Sequence, residues 1–240
     1  MDHKGVALVT GGTRGIGRAV ALRLGRDGFS VVISGHSEES TRRAVEELGR
    51  EGLTVSGRAA DARSEADQRA LVLFAAASGA GRLDVLVNNA GIGEFAPVDE
   101  LDPERFRAVL ETNLFGPFYA MAAAAPVMKK NGGGFIINIA SLASVNAFAG
   151  GAAYNASKFG LLGLSEAAML DLRQHGIRVA AVLPGSVATE FGGSHGGREN
   201  SWMLSPDDVA EAVSDLVRFP DRAIPSRIDL RPSRPPKKGT

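Results

Sequence analysis

The sequence predicts one doubly wound α/β domain: a parallel sheet of about seven strands, order 3-2-1-4-5-6-7, with helices on both faces. Three observations carry this. Short apolar, β-branched runs alternate with longer helical patterns along the whole chain. The first run passes through a glycine-rich turn into a helical pattern and a second apolar run, the βαβ unit of dinucleotide-binding folds. The 240 residues, 44% hydrophobic and 22% charged, suit one large core, and no linker or internal repeat divides them.

Taken in order, residues 5–10 read as a strand buried on both faces, and the glycine turn 11–17 leads into a helix over 18–27. A strand over 29–34, a helix over 38–50 and a strand over 53–57 follow. Next come a helix over 65–77, a strand over 84–88 and a long helix over 103–130. The pattern ends with a strand over 135–140, a helix over 153–175, a strand over 177–183, a helix over 206–217 and a last strand over 223–230. Pro117 falls inside the long helix. Lacking an N–H, it cannot bond the Asn113 carbonyl, so the helix should kink or open there, helped by Gly116.

Composition narrows the function. Lys plus Arg and Asp plus Glu both number 27, so no basic field points to nucleic acid or to an anionic membrane. There is no cysteine, hence no thiolate nucleophile and no disulfide, and no metal site is expected. No apolar run approaches the ~20 residues of a membrane span, and the first residues carry no signal-peptide pattern. A cytoplasmic protein is the expectation.

Thr10 to Gly17 reads TGGTRGIG, with Gly11, Gly15 and Gly17 where a tight turn and close backbone approach need them. The helix that follows offers free N–H groups to a pyrophosphate. No Gly-Lys-Ser/Thr ends the run, which excludes a P-loop. An NAD binder usually places Asp or Glu at the end of the second strand, to hold the ribose 2′-hydroxyl. Here that stretch is Ser34-Gly35-His36-Ser37, without a carboxylate. Arg14, with Ser34, His36 and Ser37, suits a 2′-phosphate instead, so NADP(H) is favoured and NAD(H) is the alternative.

Tyr154 and Lys158 stand four apart, on one face of a helix. An ammonium beside a phenol favours the phenolate and lowers the phenol's pKa towards the working range. Such a tyrosine can give or take a proton near neutral pH. Ser141, 13 residues ahead of Tyr154, can offer a hydroxyl to the same substrate oxygen.

TGGTRGIG at 10–17, NNAG at 88–91, Asn113, Ser141, YNASK at 154–158 and PGSVAT at 184–189 occur in order. Together they resemble the short-chain dehydrogenase/reductase family, a Rossmann-type fold, over nearly the whole chain. The resemblance implies an NADP(H)-dependent oxidoreductase acting on a small carbonyl or secondary alcohol, such as a ketone or 3-oxoacyl compound. It implies Tyr154 as proton donor or acceptor and Ser141 as the group orienting the substrate oxygen. Lys158 would bind the nicotinamide ribose and tune Tyr154, while Asn113 would support a water-linked proton relay behind it. Thr13 and Ile16 belong to the phosphate turn. Asp61 meets the adenine amino group with Ala62 beside it, and Asn88, Ala90 and Gly91 line the adenine ribose side. Pro184, Gly185, Val187 and Thr189 flank the nicotinamide carboxamide. Relatives form homo-oligomers, and the apolar faces of 103–130 and 153–175 (Ala120, Ala122, Ala123, Ala124, Leu161, Leu164, Ala168 and Leu172) suggest a dimer or tetramer here.

Two stretches depart from the commoner family pattern. The substrate loop, 191–204, is short and glycine-rich, and His195 within it reads as a solvated side chain. The ending lacks the glycine-rich segment that helps form an interface in oligomeric relatives, and 233–240 reads as a flexible tail. Segments 93–97, 142–151 and 191–204 set specificity; being mostly small or apolar, they favour an apolar or acyl-chain substrate. The competing readings are an NAD-dependent alcohol dehydrogenase and, in another class, a non-catalytic nucleotide sensor or scaffold. Retention of all four catalytic residue types argues against the latter.

Overall fold

β1 (Val6–Val9), β2 (Ser30–Gly35), β3 (Val55–Ala59), β4 (Val85–Asn88), β5 (Gly134–Ile139), β6 (Ile177–Pro184) and β7 (Arg227–Leu230) form one sheet, every pairing parallel. Their order is β3-β2-β1-β4-β5-β6-β7, as the alternation predicts. The computed structural model describes residues 4–191 and 201–235. Residues Gly192 to Gly197 of the expected substrate loop, His195 among them, and the tail from Pro236 lie outside the described residues.

Period-2 alternation within the strands builds two cores. In β1, Ala7 and Val9 point to one face and Val6 and Leu8 to the other. The first face is covered by α1 (Gly15–Arg26), α2 (Glu38–Arg50) and α7 (Pro206–Arg218), through Val20, Leu24, Leu48, Val213 and Leu216. The second is covered by α3 (Glu65–Ser78), α5 (Gly116–Lys130) and α6 (Ala152–Leu172), through Leu71, Ala120, Ala124 and Met128 with Leu164 and Ala168. A smaller cluster of Ala140, Leu161, Leu162, Ala181 and Leu183 lies between α6 and the ends of β5 and β6.

Most boundaries shift by a residue or two, β3 from 53–57 to Val55–Ala59 among them, and three further differences are local in origin. α1 begins at Gly15, so the helix starts within the glycine turn rather than after it. The last strand shortens to Arg227–Leu230, since Pro225 has no N–H for a ladder. The long helix over 103–130 is not continuous: α4 (Pro103–Leu110) passes through a π-helical turn (Glu111–Phe115) into α5. The N–H of Gly116 reaches back to the Glu111 carbonyl, and Pro117 opens α5 where a missing N–H costs little. Among the described residues no helix is long and apolar enough to cross a membrane.

Candidate active site

The candidate residues gather at the carboxyl ends of β1, β4, β5 and β6, where a doubly wound sheet leaves its crevice. The glycine turn follows β1. Gly11 and Gly15 have φ of 63° and 53°, conformations a side chain disfavours. A Cβ on Gly17 would lie 2.2 Å from the Gly11 carbonyl oxygen, so only glycine lets α1 start this close to the turn. α2, α3, α4 and α7 are each capped by a side chain (Ser37, Ser64, Asp102 and Ser205), but none caps α1. Its first N–H groups face the turn. Thr13 packs beside Gly35, and Ile16 reaches into the core under the turn.

The turn is tied to β4 by residues that the motif reading left out. Thr10 Oγ1 accepts the N–H groups of Asn89 and Ala90 at 3.0 and 3.1 Å. Asn89 Nδ2 donates to the Thr10 and Gly11 carbonyls at 3.0 and 3.1 Å. Within NNAG the second asparagine therefore braces the glycine turn. Asn88, expected on the ribose side, turns into the sheet: its Nδ2 donates to Asn138 Oδ1 at 2.8 Å, and Asn138 donates to Ser165 Oγ at 2.8 Å. All three are buried, so this asparagine is a brace between β4, β5 and α6.

The 2′-phosphate candidates divide. Ser34 is buried and its Oγ accepts the Gly11 N–H at 3.3 Å, so it supports the turn rather than reaching the crevice. His36 and Ser37 are exposed at the end of β2, Ser37 as the cap of α2. Arg14 leans across to Glu190 at 3.1 Å, a pair 77% and 79% exposed. Asp61 is held by Arg63, whose hydrogen bonds keep its carboxyl below the usual range, with His36 adding a weaker pull. Gly116 lacks the Cβ that would strike the Ala62 carbonyl, so Ala62 seats on the π turn. Gly91 packs against the Asn113 amide. Beyond β6, whose last residue is Pro184, the Gly185 N–H bonds to Leu230 and Val187 packs on the core. Thr189 comes within van der Waals reach of the Gly15 position.

On α6, Tyr154 and Lys158 share one face, as their spacing predicts. Lys158 is 5% exposed; its Nζ donates to the Ile139 carbonyl at 2.9 Å and lies 5.7 Å from the Tyr154 ring centre. Burial lowers the Lys158 pKa to about 8 and raises that of Tyr154, because a poorly hydrated site disfavours both charged forms. The Ser141 hydroxyl acts on the phenol in the opposite sense, as the weaker influence. The expectation of a phenol depressed by its lysine is therefore corrected: burial sets the direction, and the opposing influence is the Ser141 hydroxyl. Ser141 Oγ accepts the Ala143 N–H at 3.1 Å, which fixes the short 3₁₀ turn (Leu142–Ser144) beside the phenol.

Asn113 sits within the π turn, fully buried. Its Oδ1 accepts the Ile92 N–H at 2.8 Å, and its Nδ2 donates to the Ile92 carbonyl and Ser157 Oγ at 2.9 and 3.1 Å. Ser157 in turn donates to the Tyr154 carbonyl at 2.8 Å. The side chain thus locks the β4 connection to α6. Its carbonyl loses its α-helical partner to Pro117. Ser157, like Asn89, sits inside a motif, and only the contact map distinguishes it from filler.

A family model described as short chain dehydrogenase matches residues 5–199. The chain belongs to the short-chain dehydrogenase/reductase family. This family member is 38% identical over 228 residues to a putative ketoacyl reductase of Streptomyces coelicolor, spanning 93% of this chain and 86% of that protein. It is 38% identical over 219 residues to a trans-4-hydroxycyclohexanecarboxylate dehydrogenase of Sinomonas cyclohexanicum, spanning 89% and 84%. Among solved structures, a metagenomic short-chain oxidoreductase in complex with NADP superposes with a TM-score of 0.84 at 37% identity, covering 97% of this chain and 99% of that one. This short-chain dehydrogenase/reductase is an oxidoreductase, and the uncapped α1, the glycine cradle and the crevice beside Lys158 fit a nicotinamide dinucleotide.

Proposed function

We propose that this protein interconverts a small carbonyl compound and its secondary alcohol with NADP(H). The observation that carries this reading is the placement of Tyr154 beside Ser141, one helical turn from a buried Lys158, at the strand ends next to the glycine turn. The cofactor, when bound, supplies or accepts the hydride. The chain supplies the rest. Gly11, Thr13, Gly15, Ile16 and Gly17 would hold the pyrophosphate; Asp61, Ala62, Ala90 and Gly91 the adenosine; Pro184, Gly185, Val187 and Thr189 the nicotinamide side. Ser141 orients the substrate oxygen and Tyr154 gives it a proton, taking one in the reverse direction. Lys158 reaches the ribose and the phenol, and the Asn113 carbonyl offers an acceptor for a water leading away from it. The measurement is nicotinamide absorbance over a panel of ketones and alcohols with each nucleotide. Tight NADPH binding without turnover on the whole panel would favour a sensor.

Arg14, His36 and Ser37 support NADP(H), and the Arg14–Glu190 pair supports the NAD(H) alternative by giving the guanidinium another partner. Arg14→Ala is expected to weaken NADPH binding about tenfold, in line with a lost charge-assisted hydrogen bond, and to leave NADH unchanged. Gly35 is a poor place to add a discriminating acid, since its Cβ would lie 2.5 Å from Thr13 Cγ2 and 2.6 Å from Thr41 Oγ1. His36→Asp is the cleaner variant, and it should move preference towards NADH. Equal loss of both nucleotides in Arg14→Ala, read by fluorescence titration, would favour the NAD reading.

We also propose a homo-oligomer, through residues other than three of the eight expected. Ala120, Ala124 and Leu161 are buried against the sheet, so they are not available to a partner. Phe115, Phe118, Phe159 and Leu170, each 45–53% exposed, put apolar side chains on the outer surface of the π turn, α5 and α6. Val98, Leu101, Phe106, Leu110 and Phe115 line an adjoining open hollow of about 630 Å³. Sedimentation at micromolar concentration should show a dimer or tetramer, and Phe118→Glu should shift it to monomer. A monomeric unmodified protein would overturn the assignment.

A further inference from the structure

We propose that the substrate is a neutral ring compound, a cyclic or aryl ketone or the matching alcohol, gripped by a collar of Phe95, Phe148 and Phe191 above Tyr154. This rests on the carbonyl–alcohol reading above and narrows its substrate class. Three separate connections each deliver one phenylalanine: Phe95 after β4, Phe148 before α6 and Phe191 after β6. The Phe95 and Phe191 rings each lie 5.7 Å from the Tyr154 ring, at interplanar angles of 60° and 53°, and Phe148 lies 6.0 Å from Phe95. They are 47%, 41% and 47% exposed respectively, so much of each ring remains open around the Tyr154 ring. Open apolar surface collected around one polar group is what a small-molecule site requires.

The backbone is shaped for these rings. A Cβ on Gly93 would come within 2.9 Å of Phe95 Cζ and 3.0 Å of Phe191 Cε1. A Cβ on Gly151 would lie 2.6 Å from Phe148 Cε2. Nor do the rings hang on loose loops. The Ala96 N–H bonds the Gly150 carbonyl at 2.9 Å, joining the Phe95 and Phe148 segments. Asn155, buried on α6 beside Tyr154, accepts the Phe148 N–H at 3.3 Å and donates to the Ala143 and Asn146 carbonyls at 2.8 and 3.2 Å. Thr189 Oγ1 accepts the Phe191 N–H at 3.3 Å.

Charge and entropy point the same way. Glu94, the carboxylate next in sequence to Phe95, is paired with Arg105. Among the described residues the collar therefore presents ring faces, and its three side chains carry no cation for an anionic carrier. A rigid ring meets tilted rings without the torsional freezing that an open chain undergoes.

The test is steady-state kinetics at saturating NADPH with cyclohexanone, acetophenone, 2-hexanone and the N-acetylcysteamine thioester of acetoacetate. The ring ketones should show kcat/KM about tenfold or more above 2-hexanone and the thioester. Phe95→Ala and Phe148→Ala should each raise KM for the ring ketones about three- to tenfold, the size of one aromatic pair, with kcat little changed. Neither should move the KM for 2-hexanone or the NADPH dissociation constant, and Phe148→Tyr should restore ring binding. Equal kcat/KM for ring and chain, a preference for the thioester, or equal damage to both substrates by the alanine variants overturns the ring assignment alone. Intact NADPH binding with no turnover on a broad carbonyl and alcohol panel overturns the carbonyl–alcohol reading, and the ring assignment with it.

Discussion

Tyr154→Phe is expected to lower kcat by about 10³-fold or more, at the upper end of what one general acid contributes, while NADPH binding stays nearly unchanged. The ring remains between Phe95 and Phe191, so packing and the collar survive; only the proton is lost. Because burial raises the Tyr154 pKa, the ligand-free enzyme holds its phenol protonated through neutral pH. Reduction should therefore persist to higher pH than oxidation favours, since oxidation needs the phenolate. Near-normal turnover by Tyr154→Phe, measured at saturating ketone and NADPH, would move the proton donor elsewhere, with Ser141 the nearest hydroxyl.

Lys158→Met should cost about 10²- to 10³-fold in turnover, the scale of losing one well-placed electrostatic group, and should also change the pH dependence of stability. Burial lowers the Lys158 pKa in the fold to about 8, against an ordinary value of 10.5. Below pH 8 both states carry the charge, and the fold bears the full penalty of burying it. Between pH 8 and 10.5 the folded state sheds the proton first, so stability rises with pH, by about 3 kcal/mol in all. Denaturant melts at pH 7 and 10 should show most of this gain in the unmodified protein, with Lys158→Met lacking it. Tyr154 works in the opposite direction only above pH 10, where the fold retains a proton that the unfolded chain has lost. A pH-independent difference between the two proteins would show that Lys158 is better hydrated than its surroundings suggest.

The sheet order was legible because strand and helix periods differ and because parallel connections leave few topologies. The catalytic face was legible because four residues is one helical turn. The direction of the Tyr154 shift was not, since a sequence pattern shows that two charges can approach but not how much water is removed from them. Ser34 and Asn88 looked like crevice residues by position. Their side chains turned out to be needed by the Gly11 N–H and by Asn138, partners 23 and 50 residues away along the chain. Phe95, Phe148 and Phe191 come from segments already suspected of setting specificity, but their convergence on Tyr154 depends on three loop paths that periodicity does not encode.

The π turn at Glu111–Phe115 has a consequence for anyone tempted to idealise this protein. A π turn is, in effect, one residue inserted into an α-helix, and each residue turns the helix by about 100°. α4 and α5 are therefore out of phase by nearly a third of a revolution, and each has its apolar side fitted to its own neighbours. Deleting one residue to regularise the backbone would bring the two helices into phase by rotating one against the body of the domain. Either the core under α5 or the Asn113 lock on Ile92 and Ser157 would be lost. The irregularity is a phase shifter, and evolution of this segment is confined to sequences that keep the count.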